Sequence, residues 1–595
     1  MNISNVLSKQ HPQKEEPQRF TERINYFSVN LCAFLAQLCA ASFVVFILVG
    51  CQSSPTPAPE MPLPPQPETI TEAVDDTPNL SVPTATPVVT ISTPSPATPV
   101  PATATALPAV IDGGTAILGV VGQATSLNPI TDNTPALREL TPLLFDTLLR
   151  VDPHTAELQP GLAERWEYTN NGEQVIFYLP SDLTWSDGTP FTAADIAESL
   201  EATQHPALLA FSDIRARSAN TLVLTFLNID CAAVTTLAQL PLLPAQEITA
   251  TVPTGSGPFM VAEWSRTLNL VQNPNYHGQP PHLDGLTIRF LPEDEIEVAV
   301  SEGQFDAIGP IEFSTVNDKL TVNPSQFTIH NYPAPQVTYI AINYAPHNDA
   351  PLDPKVREAL LLALDRETIL AQILDGDGQL LAASLLPNHW AANDSLSPPD
   401  YDPAAAQDLL ADAGLRDTDG DGWLDRRGDR LELGIRLNGR NSLHQNLGWL
   451  VSSYYRDLGL FARAESVPID SVVDDLFTHD FRLALFSWPL LPEPDQRLFW
   501  ESTENEEGRG LNFTSYNNPQ LDELLDQGVA IAGCQPQDRA KIYSEAQELL
   551  AQDRPVDFLL TPNRHLLVID RLHGVQPGPF VGFTWNASEW YLDSE

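Results

Sequence analysis

Residues 185–195 have the sequence WSDGTPFTAAD, and this stretch decides which class of fold we expect. Its SDGTP segment has the composition of a tight turn. The turn is followed by Thr192 and, three residues later, by Asp195, which is the arrangement of a helix N-cap. The sequence therefore predicts a helix over residues 193–203, joined by the turn to a β-rich segment at residues 175–179.

The alternation of strand and helix continues on both sides of this stretch. Short apolar runs bounded by turn residues predict strands at 115–121 and 220–227. Apolar residues at helical spacing predict further helices over 356–374, 520–529 and 537–551. Interleaved strands and helices are typical of α/β folds.

Length and charge limit the function classes that need to be considered. The chain has 595 residues, whereas single hydrophobic cores stop growing at about 250–300 residues, so we expect two or more lobes. The 31 Lys and Arg residues against 77 Asp and Glu residues give a formal net charge of −46. Because this field repels phosphate backbones, we expect no nucleic-acid partner.

The N-terminal 50 residues have the features of an export signal. A polar segment with several Lys and Arg residues precedes an apolar run at 31–50, about the length that crosses a bilayer as a helix. The run ends in LVGC, whose last residue is Cys51, and this sequence resembles a bacterial lipobox. The resemblance implies that residues 1–50 are a lipoprotein signal peptide and that Cys51 carries the lipid. An uncleaved signal anchor is the alternative, and either one tethers the protein outside the cytoplasmic membrane.

Residues 51–110 differ abruptly in composition from the rest of the chain. They are rich in Pro, Thr, Ala and Ser, as in TPSPATPVPATATALP. Such a composition favours an extended, disordered spacer without a packed core. We expect this segment to be a tether, and the globular body to begin near Gly113.

Short motifs then follow one another along the body. They are LNP at 127–129, LLFDTL at 143–148, PGLAERWE at 160–167, WSDGTPFTAAD at 185–195, GSGPF at 255–259, NPNY at 273–276, GQFD at 303–306, VREAL at 356–360 and YNNP at 516–519. In this order they resemble the family 5 extracellular solute-binding proteins, the dipeptide, oligopeptide and nickel-binding group of bacterial ABC importers. The resemblance extends over nearly all of the body.

This resemblance implies an α/β, two-lobed periplasmic-binding-protein-like fold of type II with an extra inserted domain. The N-terminal lobe would comprise residues 111–155, 250–335 and 560–595. The inserted domain would comprise residues 156–249, and the C-terminal lobe residues 336–559. Closure of such lobes around a ligand is a hinge motion that an importer can sense.

The cleft between the lobes is the expected ligand site. In the family's peptide binders, an Asp shortly after a Trp in the C-terminal lobe holds the ammonium group of the peptide. The Trp is present here as Trp488, but Leu491 stands at the position of the Asp. Glu493 or Asp495 can take its place only if the loop is repositioned, so both a peptide and another solute stay open as ligands.

Further residues are candidates for the cleft. Arg440 follows a predicted strand and can pair with a ligand carboxylate, although a surface salt bridge or a solvated side chain is the alternative. Trp488 and Trp390 can stack on a ligand or belong to the core. The remaining substrate-binding candidates are Asn128, Asn441 and Asn512.

One loop has the pattern of a calcium site. Asp417, Asp419, Asp421 and Asp425 alternate with other residues, and a Gly stands at the sixth position of the loop. The twelfth position is Gly428, so the bidentate Glu of an EF-hand is missing. A solvated acidic turn is the alternative, and we expect no cofactor apart from this structural Ca²⁺.

The two cysteines of the body leave a disulfide open. Cys231 and Cys534 can form a bridge in an oxidising compartment, but they are too far apart in sequence for the geometry to be judged.

Catalysis has no support in the sequence. It contains no G-x-S-x-G elbow, P-loop, HExxH or dinucleotide glycine fingerprint, so we expect no enzyme. The sequence predicts a monomeric lipoprotein at the outer face of the cytoplasmic membrane. It would bind a peptide or peptide-like solute and deliver it to an ABC import permease. A sensory or surface-interaction lipoprotein, or a binder of a non-peptide solute on the same fold, is the alternative.

Overall fold

The computed structural model describes residues 112–312, 327–346, 351–506 and 510–593. The predicted signal peptide, the tether and Cys51 lie outside the described residues. In chain order the strands are β1 (Thr115–Val121), β2 (Leu149–Val151), β3 (Leu158–Pro160), β4 (Arg165–Thr169), β5 (Gln174–Tyr178), β6 (Phe211–Ser218), β7 (Thr221–Phe226), β8 (Phe259–Trp264), β9 (Leu268–Gln272), β10 (Gly285–Leu291), β11 (Ala307–Glu312), β12 (Phe327–Pro333), β13 (Gln336–Ile342), β14 (Gly378–Leu380), β15 (Asp425–Arg426), β16 (Asp429–Arg430), β17 (Glu432–Asn438), β18 (Phe461–Val467), β19 (Leu483–Pro489), β20 (Val556–Ile569), β21 (Leu572–His573) and β22 (Tyr591–Leu592).

Helices alternate with these strands. In chain order they are α1 (Pro135–Leu144), α2 (Ala193–Thr203), α3 (Cys231–Leu237), α4 (Ile296–Glu302), α5 (Pro354–Leu362), α6 (Arg366–Leu374), α7 (Pro403–Asp412), α8 (Ser442–Asp457), α9 (Ile469–Phe477), α10 (Arg497–Trp500), α11 (Pro519–Ala530) and α12 (Pro536–Asp553). Short 3-10 turns occur at Asn170–Gly172, Pro206–Ala210, Ala245–Glu247, Glu293–Glu295, Ser502–Glu504 and Ala587–Glu589. Within the described residues, no helix is both long and apolar enough to span a bilayer.

The predicted α/β class is confirmed, and the stretch that predicted it folds as expected. Helix α2 begins at Ala193 after Thr192, whose hydroxyl accepts a hydrogen bond from the N–H of Ala194 at 3.3 Å. The carboxylate of Asp195 in turn accepts from the N–H of Thr192 at 2.7 Å. This reciprocal pair satisfies backbone donors that the first helical turn leaves free.

The single helix predicted over 356–374 is wrong, because the structure has two helices, α5 and α6, in its place. Asp365 caps α6 by accepting the N–H of Thr368 at 3.0 Å. The guanidinium of Arg366 donates to the carbonyls of Leu361 and Leu364, at 3.0 and 3.2 Å. These contacts satisfy backbone groups that would otherwise be unpaired at the break between the helices.

The largest sheet contains 12 of the described strands, and its main path is β18-β17-β19-β13-β20-β11-β1-β10-β9-β8. At one end, β1 is parallel to β10 and to β11. At the other end, β17 is parallel to β18 and to β19. We call β1 and β8–β11 with helix α1 the N-terminal side. We call β13 and β17–β19, with the helices that pack on them, the C-terminal side.

Strand β20 belongs to both sides. Its first residues pair with β13, and its later residues pair with β11 and β12. Strand β12 continues into β13 through Ala334, which lies beside β20. The hydroxyl of Thr561 donates to the carbonyl of Ala334 at 2.9 Å, and the N–H of Ala334 donates to the carbonyl of Pro562 at 2.8 Å. The two crossing strands thus connect the sides at one place.

Each side packs apolar side chains on both faces of the sheet. In β13, Tyr339 and Ala341 lie in one core and Ile340 and Ile342 in the other, as the period of two along a strand requires. Separate cores also lie on the two faces of the N-terminal side.

A second sheet, β4-β5-β7-β6, packs with α2 and α3 around its own core. We call residues 165–237 the four-stranded module. Backbone hydrogen bonds fix its connections to the N-terminal side: Leu162 N–H to the carbonyl of Thr147 and Leu242 N–H to that of Asp146, both at 2.9 Å. The domain boundaries drawn from the sequence stay a prediction.

A disulfide joins Cys231, at the start of α3, to Cys534, between α11 and α12. The Cα atoms lie 5.4 Å apart although 303 residues separate them in sequence. Both cysteines are buried. The bridge that the sequence left open is therefore present.

Candidate functional site

On each side, the carboxyl ends of the parallel strands lie next to one another at one edge of the sheet. Ligands of α/β proteins usually bind at this edge. On the C-terminal side, β17, β18 and β19 end at Asn438, Val467 and Pro489. Arg440 and Asn441 follow β17 directly. The edge therefore carries two of the residues predicted to bind substrate.

Arg440 is exposed at this edge. Its backbone N–H donates to the side chain of Asn438 at 3.0 Å. Within the described part of the chain its guanidinium has no ion-pair partner. An exposed guanidinium without a partner can donate two parallel hydrogen bonds to a carboxylate.

Asn441, which follows Arg440, caps a helix. Its side-chain oxygen accepts the N–H of His444 at 3.0 Å and caps helix α8. The cap uses the oxygen of the amide, while the amide nitrogen remains a donor for a ligand.

Asn128 and Asn512 are fully buried, and their amides hold loops together. The nitrogen of Asn128 donates to the carbonyls of Ile248 and Ala250, at 3.0 and 2.8 Å. The nitrogen of Asn512 donates to the carbonyl of Tyr516 at 2.8 Å. Their predicted substrate contact stays a prediction, and the bonds found here support the loops around them.

The two tryptophans differ in their surroundings. Trp488 is buried in the C-terminal side, where its ring lies 4.2 Å from that of Phe499 in an edge contact. Trp390 is half-buried, and its backbone N–H donates to the carbonyl of Thr155 at 2.8 Å. The guanidinium of Arg539 lies 5.2 Å from the Trp390 ring. Trp390 thus lies where a loop that precedes the four-stranded module meets the C-terminal side.

The position of the missing ammonium-binding Asp is occupied by an exposed leucine. Leu491 is 58% exposed. The carboxylate of Glu493 forms an ion pair with Arg539 and accepts the hydroxyl of Thr235 at 2.5 Å. Burial by itself lowers the pKa of the Arg539 guanidinium. The nearby Glu493 and Tyr543 raise this pKa by a larger amount, so the net pKa is above its usual value. Glu493 therefore has an internal cation in place of a ligand ammonium.

Asp495, the other substitute considered from the sequence, also has an internal partner. Its carboxylate accepts Nε of Arg497 at 3.0 Å and Nη2 at 2.8 Å, a bidentate pair. Arg497 also lies 3.6 Å from Asp230 at the start of α3. Both carboxylates near Trp488 are thus paired within the chain.

The structure contains a charged cluster beside the crossing strands that the sequence analysis did not predict. Arg564 in β20 donates Nε to Glu312 at the end of β11, at 2.9 Å. Glu139 in α1 is buried nearby and accepts the N–H of Phe583 at 2.6 Å. Burial raises the pKa of Glu139 to about 7, although this hydrogen bond, Arg564 and Arg138 lower it. The signal in the sequence was an Arg-His pair inside a strand of mostly apolar residues.

His565 follows Arg564 in the same strand and is buried. Its Nδ1 lies 3.0 Å from the side-chain oxygen of Asn331, and its Nε2 lies 2.9 Å from a carboxylate oxygen of Asp377. Burial lowers the pKa of His565 more than Asp377 raises it.

The predicted calcium loop brings three of its four carboxylates together. One oxygen each of Asp417, Asp419 and Asp421 lies within 4.8 Å of the others, and all three residues are exposed. Asp421 also pairs with Arg430. Asp425 is buried and accepts the hydroxyl of Thr418 at 2.9 Å, so it is outside the group of three. Calcium binding stays a prediction.

Comparison with known proteins places these features in context. Residues 157–508 match the model of the bacterial extracellular solute-binding proteins, family 5 Middle. The oligopeptide-binding protein AppA of Bacillus subtilis is 25% identical over 513 residues, which cover 81% of this chain and 92% of that protein.

Two solved structures show the same fold. NikZ from Campylobacter jejuni in complex with Ni(L-His) has a TM-score of 0.63 at 23% identity and covers 80% of this chain and 99% of that one. HbpA2 from Haemophilus parasuis has a TM-score of 0.69 at 18% identity and covers 81% of this chain and 100% of that one. The two-lobed α/β fold expected from the sequence is thereby confirmed.

Proposed function

This chain belongs to the bacterial extracellular solute-binding proteins of family 5, and from that membership we propose that it captures a peptide or peptide-like solute. The solute would bind between the N-terminal and C-terminal sides. The protein would then deliver it to the permease of an ABC importer. The relative AppA of Bacillus subtilis is named an oligopeptide-binding protein, which supports a peptide-like ligand.

The observation that carries this proposal is the connection between the sides. Two adjacent strand segments cross from one side to the other, at Ala334 and at Thr561–Pro562. Parallel strands on each side end beside their own row of loops. A few residues at such a crossing can absorb the rotation of one side against the other, which is the motion of a hinged binding protein.

The charges of the candidate site residues favour recognition of the carboxylate end of a solute. Glu493 and Asp495 already have arginine partners, so neither has a free charge for a ligand ammonium. Arg440 is exposed at the carboxyl edge of β17. We therefore expect Arg440 to bind a carboxylate, and the ammonium group to contribute little to affinity.

Binding by Arg440 is testable once a ligand is in hand. Native mass spectrometry of the full chain, purified in detergent, would identify a small molecule that co-purifies, and a library of short peptides would serve as the second probe. Arg440→Ala should weaken binding of the identified molecule about tenfold or more, since a charge-assisted hydrogen bond contributes about 1.5–3 kcal/mol.

The matched control is Arg463→Ala, because Arg463 is an exposed arginine of β18 that already pairs with Glu465. This variant should bind as the unchanged protein does. If no peptide binds and a metal chelate co-purifies instead, the peptide proposal fails and the non-peptide alternative replaces it. If nothing binds, the sensory or surface-interaction alternative is favoured.

We also propose that Cys51, outside the described residues, carries a lipid that anchors the protein at the outer face of the cytoplasmic membrane. The LVGC sequence at the end of the apolar run supports this. Cys51→Ala should abolish incorporation of a labelled fatty acid. Cys39→Ala, in the same apolar run, is the control and should keep the label.

A further inference from the structure

The disulfide connects the four-stranded module to the C-terminal side, two parts of the molecule that share no β-strand. Cys231 begins α3 in the four-stranded module, and α3 packs in the core of that module. Cys534 lies between α11 and α12, whose side chains belong to a core of the C-terminal side. The bond therefore joins the module to the C-terminal side.

The module itself is held on the N-terminal side. The N–H of Ser186 donates to the carbonyl of Gly255 at 2.8 Å, and the N–H of Gly257 donates to that of Leu144 at 3.0 Å. The segment of Gly255, to which the module is bonded through Ser186, packs so closely on the end of α1 that a Cβ atom at Gly255 would lie 1.8 Å from the carbonyl oxygen of Leu144. The module and the N-terminal side are thus expected to move as one body.

Non-covalent contacts surround the disulfide at this second connection. Thr235 in α3 donates to Glu493, and Asp230 before α3 lies 3.6 Å from Arg497. Gly172 of the module packs against the backbone of the segment that carries Cys534, where an added Cβ would lie 2.5 Å from the nitrogen of Gly533. Contacts of this kind break and re-form as two surfaces separate, whereas a covalent bond does not.

The two sides are therefore joined at two places. One is the pair of crossing strands, and the other is the bond between Cys231 and Cys534. A rotation about the first place that moves α3 away from the segment of Cys534 cannot occur while the bond at the second place is intact. We propose that this disulfide holds the two sides together in the oxidised protein and that hinge opening requires its reduction.

The reduction needs an external dithiol. One thiolate of the dithiol attacks a sulfur of the Cys231–Cys534 bond and forms a mixed disulfide, which releases the other cysteine as a thiolate. The second thiolate of the dithiol then resolves the mixed disulfide. Both cysteines end as thiols after protonation, and the dithiol is oxidised by two electrons. Cys231 and Cys534 are buried, but Ala532 and Gln535, close to Cys534 in the chain, are exposed, so a local opening of this segment gives such a reagent access to the bond.

Reduction would then control when solute can enter and leave the crevice. This consequence rests on the proposed function, but the restraint on opening does not. The restraint is therefore tested without any solute, so that a failure of solute binding and a failure of the restraint are separate results.

The test is energy transfer between two dyes on the full chain. Azide-bearing residues at the exposed positions Leu209, in the module, and Trp449, in α8, allow labelling without cysteine chemistry. The oxidised protein should show one high-transfer population. Treatment with dithiothreitol, with the freed thiols counted by maleimide labelling, should produce a low-transfer population. Cys231→Ser with Cys534→Ser should produce the same population without a reductant.

The control is Thr235→Ala, which removes a neighbouring hydrogen bond and keeps the disulfide. It should stay in the high-transfer population while oxidised, and a low-transfer population in this variant would overturn the proposal. An unchanged distribution in reduced protein, with the thiols free and circular dichroism native, would also overturn it. Because the reduced natural chain is measured directly, the result does not depend on the folding of the serine variants.

Discussion

Glu139 lies in α1 with its carboxyl group buried against the C-terminal segment of the chain. Burial raises its pKa from 4.5 to about 7, against the opposing effects of one backbone N–H and two arginines. The folded protein therefore binds more protons than the unfolded chain between these two values. Stability falls as the pH rises through this interval.

The change Glu139→Gln removes the titrating group and keeps an oxygen for the N–H of Phe583. We predict that it raises the free energy of unfolding at pH 8, by about 3 kcal/mol at most, and leaves it unchanged near pH 4. Urea denaturation at both pH values measures this. Glu201→Gln, at an exposed position in α2, should show no such dependence. A loss of stability at pH 8 in the Glu139 variant would contradict the prediction.

The buried pair of Arg539 and Glu493 gives a second prediction at this scale. Arg539→Ala leaves the Glu493 carboxylate buried without its cation, and we expect this to lower the free energy of unfolding by about 3–5 kcal/mol. Lys541→Ala in the same helix removes an exposed pair with Asp538, which we expect to cost less than about 1 kcal/mol. Equal effects of the two changes in urea denaturation would show that the pair at Glu493 is not buried.

Single residues differ in how far the sequence reveals their roles. The cap formed by Thr192 and Asp195 was predictable because its partners are three residues apart. The absence of an Asp at Leu491 was also visible. That Glu493 has its own arginine was not, because Arg539 is 46 residues away in the chain.

Local sequence signals were sufficient to predict a secondary-structure element where its residues show a single pattern, either of apolar residues or of a helix cap. Strand β1 has the predicted bounds, and α2 has the predicted cap. The break between α5 and α6 was missed because apolar spacing continues across it. At the break, Asp365 and Arg366 form hydrogen bonds with backbone N–H and carbonyl groups. A helix prediction from the spacing of apolar residues does not take such polar side chains into account.

The loop before β15 is the element whose chemistry is tested most directly. Three carboxylates close together repel one another, and a Ca²⁺ ion would relieve this, although Arg430 already compensates Asp421. We predict weak binding, with a Kd of about 10⁻⁴–10⁻³ M, and a melting temperature that rises with millimolar Ca²⁺.

The variant Asp419→Asn should abolish this rise. Asp429→Asn, at an exposed position in the adjacent strand β16, is the control and should keep it. The same rise in melting temperature in the Asp419 variant and in the unchanged protein would assign the effect to another place.

For the whole molecule, the order of motifs predicted the fold, and the matched structures confirm it. The site was only partly predictable. The position of Arg440 and Asn441 after a strand was predictable from that local signal, and their contact with a substrate stays a prediction. The cluster of Glu139, Glu312 and Arg564, by contrast, is assembled from three distant segments. Only the pairing of β20 with β11 brings the last two together.

The disulfide also has a stabilising effect on the whole molecule. It restricts the unfolded chain over 303 residues, and removing a native disulfide typically costs about 2–5 kcal/mol. We predict a loss of this size in urea denaturation for Cys231→Ser with Cys534→Ser. The same loss should appear in the natural chain after reduction, and an unchanged midpoint in both would contradict the prediction.

Strand β20 pairs with β13 at one end and with β11 and β12 at the other, so each side depends on it for a central neighbour. During synthesis, neither side of the large sheet can be completed until the ribosome has released residues 556–569. The late synthesis of one shared strand thus couples the folding of the two sides, because each side stays incomplete until the same residues have been made.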